Sequence, residues 1–245
     1  MGSVRLAGGT PGWVRWVQES GCILSPEARE ADITPRTKAV LLPYPNNPTG
    51  GIMTRAQLEA LVPVIQKHDL LVISDEIYAE LTYGGRHVSV ASLPGMFERT
   101  VVINGFSKAF AMTGWRIGFV CAPPELDAAM LKIHQYTLLC APAAAQYAAI
   151  EALKDGFGDN FAVVEAMRDE YDKRRLFMVD FFNRTGLPCF EPRGAFYVYH
   201  SVRELGVTGG EFATGRLRAD RVAARPSDAF AAPGECATRL PAWTC

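Results

Sequence analysis

Four short polar clusters follow apolar, strand-like runs of the sequence. The clusters are Asn46–Gly50, Ser74–Tyr78, Ser107–Lys108 and Arg116. In open α/β sheets, ligands bind outside the carboxyl ends of the strands, so side chains at these positions can contact a ligand. One polar strand end would indicate only a turn or a helix cap, whereas four in series predict a binding site.

Lys108 is the residue best suited to chemistry. It ends the sequence GFSK and precedes small and apolar residues. A lysine near a core usually extends its amine to water, but a desolvated amine can form a Schiff base. Arg116 could hold a phosphate through two parallel hydrogen bonds, or form a surface ion pair. Asp75 follows a buried strand, where its carboxylate would need a cationic partner or would cap a helix.

A lysine, an arginine and a carboxylate together match the requirements of pyridoxal phosphate. The lysine would hold the aldehyde and the arginine the phosphate. The carboxylate would keep the pyridine nitrogen protonated, so that the ring can accept the electrons of a carbanion. Tyr78 and Asn47 could each donate a hydrogen bond to the phenolate oxygen of this cofactor. The pattern therefore predicts a pyridoxal phosphate site.

The elements that would position these residues alternate between strands and helices, which predicts an α/β fold with a mostly parallel sheet. Apolar runs predict strands at residues 38–45, 70–78, 100–108, 116–123 and 189–202. Apolar periodicity predicts helices at residues 55–68, 125–136, 143–154 and 161–183, the first of them capped by Thr54. After Gly209 the sequence lacks a clean apolar period. We expect a large domain over residues 1–160 and part of a smaller α+β domain over residues 161–245.

The composition argues against several classes of protein. Of the 245 residues, 49% are hydrophobic, which is ample for a core. The 25 basic and 26 acidic residues give a formal charge of -1, so neither nucleic acid nor a membrane surface is an expected partner. No apolar run approaches the roughly 20 residues of a membrane helix. The six cysteines have no zinc-ligand spacing, so we expect reduced thiols, no metal and a cytoplasmic location.

Three longer blocks of the sequence carry a resemblance to a known family. PYPNNPTG, SDEIYAELTY and NGFSKAFAMTGWRIGF resemble the signature blocks of class I/II aminotransferases, the aspartate-aminotransferase-like enzymes of fold type I. The resemblance extends from the N-terminus to about Val202. It implies a three-layer large domain, a smaller α+β domain and a homodimer. It also implies transfer of an amino group between an amino acid and a 2-oxo acid, with pyridoxal 5'-phosphate as cofactor.

The resemblance also implies a role for each matching residue. Lys108 would be the Schiff-base lysine and would move protons between the substrate and the cofactor. Asp75 would pair with the pyridinium nitrogen. Tyr78 and Asn47 would hydrogen-bond the 3' oxygen of the cofactor, and Asn47 would also contact the substrate carboxylate.

The resemblance also implies which residues would bind the phosphate and the substrate. Arg116 would hold the phosphate with Ser107 beside it, whereas Gly105 stands where some relatives place a phosphate-binding hydroxyl. Residues 221–240 resemble the family's segment around a substrate-binding arginine, so Arg239 would clamp the α-carboxylate of the substrate. Departures from the family pattern in this tail leave a second interpretation open, in which Arg239 is only exposed.

Members of this family have a long stretch before the point where the present chain begins, with a glycine-rich phosphate turn and an aromatic that stacks on the pyridine ring. We therefore expect a chain that is truncated at its N-terminus, and near its C-terminus, and that could be inactive. Two alternatives stay open: a carbon–sulfur lyase of the same fold, and a non-catalytic cofactor-binding remnant. The motifs do not identify the amino-acid substrate.

Overall fold

The computed structural model describes residues 2–12, 30, 32–226 and 235–240, and the strands within these ranges form two sheets. The first sheet consists of β1 (Ala39–Pro43), β2 (Leu71–Asp75), β3 (Thr100–Gly105) and β4 (Gly118–Cys121). The second consists of β5 (Cys189–Phe190), β6 (Tyr197–Ser201), β7 (Arg225–Pro226) and β8 (Glu235–Arg239). The helices are α1 (Gly2–Leu6), α2 (Arg55–Lys67), α3 (Phe106–Ala109), α4 (Pro124–Thr137), α5 (Ala143–Asp159), α6 (Ala162–Arg184) and α7 (Gly209–Asp220).

The first sheet has the strand order β1-β2-β3-β4, and its first three strands run parallel. The fourth strand runs antiparallel to β3. The register places Pro43 beside Asp75, and Asp75 beside Ile103, so the carboxyl ends of the parallel strands meet at one edge. This arrangement confirms the predicted α/β class and the mostly parallel sheet.

Helix α2 packs its apolar stripe against this sheet. Thr54 and Gln57 form a capping box, in which the Thr54 N–H donates to Gln57 Oε1 at 2.7 Å and the Gln57 N–H donates to Thr54 Oγ1 at 3.4 Å. Leu58, Leu61 and Ile65 are buried in a core cluster with the side chains of β1 and β2. The predicted cap and the predicted stripe are both confirmed.

Three predicted strands differ from those in the structure. The strand predicted over residues 70–78 ends at Asp75, because the chain turns there and the Ile77 N–H donates to Asp75 Oδ1 at 3.3 Å. Strand β3 ends at Gly105, and the prediction that it reaches Lys108 was wrong: Lys108 lies in the short helix α3. The predicted strand 189–202 is divided into β5 and β6. The reason is tertiary, because the Arg193 and Gly194 N–H groups both donate to the Gly50 carbonyl, at 3.0 and 2.9 Å.

This contact also ties the second sheet to the loop that follows β1. A side chain at position 194 would collide with Pro45, so the close approach of the two segments requires glycine there. The Ala195 N–H donates to the Leu81 carbonyl at 2.9 Å, which holds the same segment against the chain beyond β2. The two sheets are therefore joined next to the predicted site, while the proposed domain boundary at residue 160 stays a prediction.

Helix α7 occupies part of the tail in which the sequence showed no clean apolar period. Its start carries a local signal that the apolar pattern did not reveal. Thr208 and Glu211 form a capping box, with the Thr208 N–H donating to Glu211 Oε2 at 2.8 Å.

Every helix within the described ranges is too short or too polar to cross a lipid bilayer. The same part of the chain contains no group of three or more His, Cys, Asp or Glu side chains arranged to hold a metal ion.

Candidate active site

Three polar side chains meet where β1 and β2 end and the second sheet approaches them. Asn47 Nδ2 lies 3.4 Å from the hydroxyl oxygens of both Tyr78 and Tyr197, and those two oxygens are 3.4 Å apart. The Asn47 Oδ1 atom is buried and has no hydrogen-bond partner among the described residues. Such an atom carries a desolvation cost unless a donor reaches it, so the triangle has an acceptor open to a ligand.

Lys108 lies beside this triangle. Helix α3 directly follows β3 and places Lys108 Nζ 5.5 Å from the ring centroid of Tyr78 and 5.5 Å from that of Phe196. The side chain is half-buried. The structure thus brings the predicted lysine together with Tyr78 and, through Tyr78, with Asn47.

Asp75 is the last residue of β2 and is half-buried. Its Oδ1 accepts a hydrogen bond from the Ile77 N–H at 3.3 Å, and among the described residues it forms no ion pair. The expected cationic partner is therefore not a side chain of the described part of the protein.

Burial raises the pKa of Tyr78, and the Tyr197 hydroxyl and the charge of Asp75 raise it further, so Tyr78 stays protonated over the physiological range.

Glu76, the residue after Asp75, points into a separate buried cluster. Its Oε1 accepts hydrogen bonds from Ser74 Oγ at 2.8 Å and from Ser89 Oγ at 2.7 Å, and its Oε2 lies 2.8 Å from His87 Nε2. Burial alone would raise the pKa of Glu76, but His87 and the two hydroxyls more than offset it and hold this pKa below its usual value. This cluster fixes the backbone immediately after Asp75.

The same cluster reaches the end of β1 through Tyr44. The His87 and Tyr44 rings lie 5.0 Å apart, and the Tyr44 hydroxyl donates to the Val88 carbonyl at 3.1 Å while it accepts from the Val90 N–H at 3.0 Å. Segment 87–90 therefore links the ends of β1 and β2, which carry Asn47 and Asp75 into the site.

We expect Glu76→Gln to lower the free energy of unfolding by about 1–3 kcal/mol, because the amide has one acceptor oxygen where the carboxylate has two, so at least one of the buried donors around it loses its partner. The measurement is urea unfolding of the 245-residue chain at neutral pH. Glu59→Gln is the matched control: Glu59 is exposed and pairs with Arg55 at 3.6 Å, a contact worth less than about 1 kcal/mol. Equal stability losses in the two variants would contradict this account.

Arg116 and Ser107 belong to one short segment next to Lys108. Arg116 is exposed, has a left-handed backbone with φ of 55°, and donates from Nη1 to the Thr113 carbonyl at 2.8 Å. The Ser107 carbonyl accepts from Thr113 Oγ1 at 2.9 Å. Arg116 pairs with no carboxylate of the described residues, so the alternative interpretation of this residue, a surface ion pair, is not seen there. Gly105 approaches Gly118 so closely that a side chain at position 105 would press on the Gly118 backbone.

Arg239 is the last residue of β8, and its backbone pairs with Tyr197 on β6. The prediction that its side chain binds the substrate falls outside what the structure describes. Residues 227–234 of the preceding tail also lie outside the described residues.

Tyr197 is the contact that the sequence analysis did not single out. The aromatic alternation after Gly194 marked a strand, but it did not indicate which aromatic side chain faces Asn47. That orientation follows from the register of β6 against β8 and from the fold of segment 191–196 onto Gly50.

Comparisons with known proteins agree with this arrangement. The family described as aminotransferase class I and II matches residues 2–240, and the chain belongs to this family. The aminotransferase provisionally named YugH of Bacillus subtilis is 48% identical over 232 residues, which cover 95% of this chain and 59% of that protein. Aromatic-amino-acid aminotransferase 2 of Thermococcus litoralis is 40% identical, covering 97% of this chain and 61% of its own length.

Solved structures show the same fold. The aromatic aminotransferase of Pyrococcus horikoshii OT3 has a TM-score of 0.92 at 42% identity, covering 97% of this chain and 64% of that one. A double mutant of the Thermus thermophilus aspartate aminotransferase has a TM-score of 0.91 at 38% identity, with 97% and 61% covered. The fold type I prediction is confirmed. The chain spans about 60% of the length of the relatives it matches.

Proposed function

We propose that this chain binds pyridoxal 5'-phosphate through Lys108 and serves the transfer of an amino group between an amino acid and a 2-oxo acid. The observation that carries the proposal is the position of Lys108 Nζ, beside the ring of Tyr78, whose hydroxyl lies 3.4 Å from Asn47 Nδ2. Membership of a family that is generally dependent on this cofactor supports the proposal.

The residues present fit this cofactor. Asn47 Nδ2 and the Tyr78 hydroxyl, 3.4 Å apart, are two donors placed together, as a phenolate oxygen requires, and Asp75 is a half-buried carboxylate without a cation among the described residues. A protonated pyridine nitrogen would supply the positive charge that Asp75 lacks. Lys108 would hold the aldehyde, while Tyr78 and Asn47 would bind the 3' oxygen.

The remaining roles concern the phosphate and the substrate. Arg116, with Ser107 beside it, would bind the phosphate, because a guanidinium can donate two parallel hydrogen bonds to its oxygens. Arg239 would bind the substrate carboxylate, with Asn47 as a second contact. These assignments follow from the positions of these residues in the family motifs.

When bound, the cofactor withdraws electrons from the substrate Cα, which makes the proton on that carbon removable. Lys108 would take this proton and return a proton at the neighbouring carbon, acting as general base and then as general acid. Asp75 would maintain the positive charge on the ring nitrogen. Tyr78, which stays protonated, would act as a donor and not as a base.

Two further proposals concern the setting of this activity. Relatives in this family are commonly dimers, and a homodimer would bury apolar side chains of α4, where Tyr136 is 93% exposed and Ile133 is 67% exposed. We also keep a cytoplasmic location as a proposal, on the basis of the cysteine pattern.

The test is to mix the purified chain with pyridoxal phosphate, record the visible absorbance, reduce with borohydride and map the labelled peptide. We expect a single label, on Lys108. A label on another lysine, or no retained label, would refute the proposal. Subsequent addition of amino acids to unreduced complex, with detection of the 2-oxo acid formed, tests amino-group transfer itself.

A further inference from the structure

Tyr197 joins the second sheet to the candidate active site. It lies on β6, whereas Asn47 and Tyr78 follow strands of the first sheet. Its hydroxyl is nevertheless 3.4 Å from both Asn47 Nδ2 and the Tyr78 hydroxyl. The family motifs assign Tyr78 and Asn47 to the cofactor but give no role to Tyr197.

Asn47, Tyr78 and Tyr197 together carry more hydrogen-bond donors than their contacts with one another use. The amide of Asn47 has two N–H donors, and each of the two tyrosines has one O–H donor. In the triangle as it stands, the two N–H groups can serve one hydroxyl oxygen each, and the contact between the hydroxyls uses one O–H. With the cofactor bound, the N–H that serves Tyr78 would instead donate to the 3' oxygen, and the other would stay on Tyr197. One O–H therefore remains available to a ligand, and either tyrosine can supply it.

We propose that Tyr197 is a positioning residue that donates its O–H to Tyr78 when the cofactor is bound, and so directs the Tyr78 O–H at the 3' oxygen of that cofactor. This inference rests on the proposed function. Without a ligand, Tyr78 can donate to Tyr197 instead, and binding reverses the direction of this one hydrogen bond. The second sheet thereby sets the orientation of a cofactor-binding group on the first.

Packing holds the rings of Tyr78 and Tyr197 in place, so the effect of the Tyr197 hydroxyl can be tested by itself. The Tyr78 ring packs edge-on against Phe196, with centroids 5.3 Å apart, and against Tyr197, with centroids 6.3 Å apart. Segment 191–196 is fixed by its hydrogen bonds to Gly50. Tyr197→Phe keeps these ring contacts and removes only the hydroxyl.

The test is a double-mutant cycle on the dissociation constant of pyridoxal phosphate, followed by absorbance. We expect Tyr197→Phe to weaken binding about two- to tenfold, the effect of one neutral hydrogen bond. Tyr78→Phe should weaken binding at least as much, and the double variant should bind like Tyr78→Phe, because Tyr197 acts through Tyr78. Tyr147→Phe, on the exposed side of α5, should bind like the unchanged chain.

Unchanged binding in Tyr197→Phe would overturn the inference. So would a double variant whose loss of affinity is the product of the losses in the two single variants.

A second measurement needs no cofactor, so it tests the inference separately from the proposed function. In the chain labelled with ¹³Cζ-tyrosine, the Tyr78 resonance is identified by its loss in Tyr78→Phe. Tyr197→Phe should shift this resonance, whereas an unshifted resonance would show that the two hydroxyls do not interact, whether or not the cofactor binds.

Discussion

Lys108→Ala should remove the borohydride-fixed pyridoxal phosphate label completely. The substitution deletes the amine beside the Tyr78 and Phe196 rings, and alanine is a good helix former, so α3 should persist. If the unchanged chain transfers amino groups, the rate in the variant should also fall by about 10²–10⁴-fold or more, because the general base is lost together with the covalent link.

The matched control is Lys154→Ala on α5. Lys154 is exposed and pairs with Glu151 at 2.8 Å, far along the chain from the strand ends that form the site. This variant should keep a full label and the same visible absorbance as the unchanged chain. An equal label in both variants would mean that the cofactor reacts with lysines at random, and Lys108 would lose its assigned role.

Acidification from pH 7.5 to pH 5 should lower the free energy of unfolding by about 2 kcal/mol through the protonation of His200 alone. This side chain is fully buried, stacks on Phe182 with centroids 4.2 Å apart, and places Nε2 3.3 Å from Thr238 Oγ1. Its Nδ1 atom has no partner among the described residues. Burial, and secondarily the positive charge of Arg216, lower the pKa of His200 from 6.5 to about 4.

The sign follows from proton binding. The unfolded chain takes up a proton near pH 6.5, while folded His200 stays neutral until about pH 4, so protons favour the unfolded state between these values. Below pH 4, the loss in the free energy of unfolding through His200 would reach about 3 kcal/mol. Glu76, whose pKa is lowered on folding, adds a separate loss only below its usual value of 4.5.

Urea unfolding at pH 7.5 and pH 5 measures this effect. His200→Gln has no titrating group at this position and should flatten the difference between the two conditions. His134→Gln, on the exposed surface of α4, should leave the difference as large as in the unchanged chain. The His200 assignment fails if the two variants show the same dependence on pH.

The sequence alone determined the fold class and most of the proposed cofactor contacts. The runs before Asn46, Ser74 and Gly105 are short, apolar and followed by polar residues, so strands and their ends are local properties. Parallel strands place their carboxyl ends at one edge, which is why Asn47, Tyr78 and Lys108 could be expected together before any coordinates.

Tertiary structure alone decided which further side chains complete the site. Tyr197 is 150 residues from Asn47 in the chain, and its place depends on the register of β6 and on the contact of segment 191–196 with Gly50. His87 meets Glu76 only because the loop after β2 folds back over the strand ends. Such contacts are set by packing between distant segments, and the pattern of apolar and polar residues along the chain specifies which face of an element is buried but not which partner it meets.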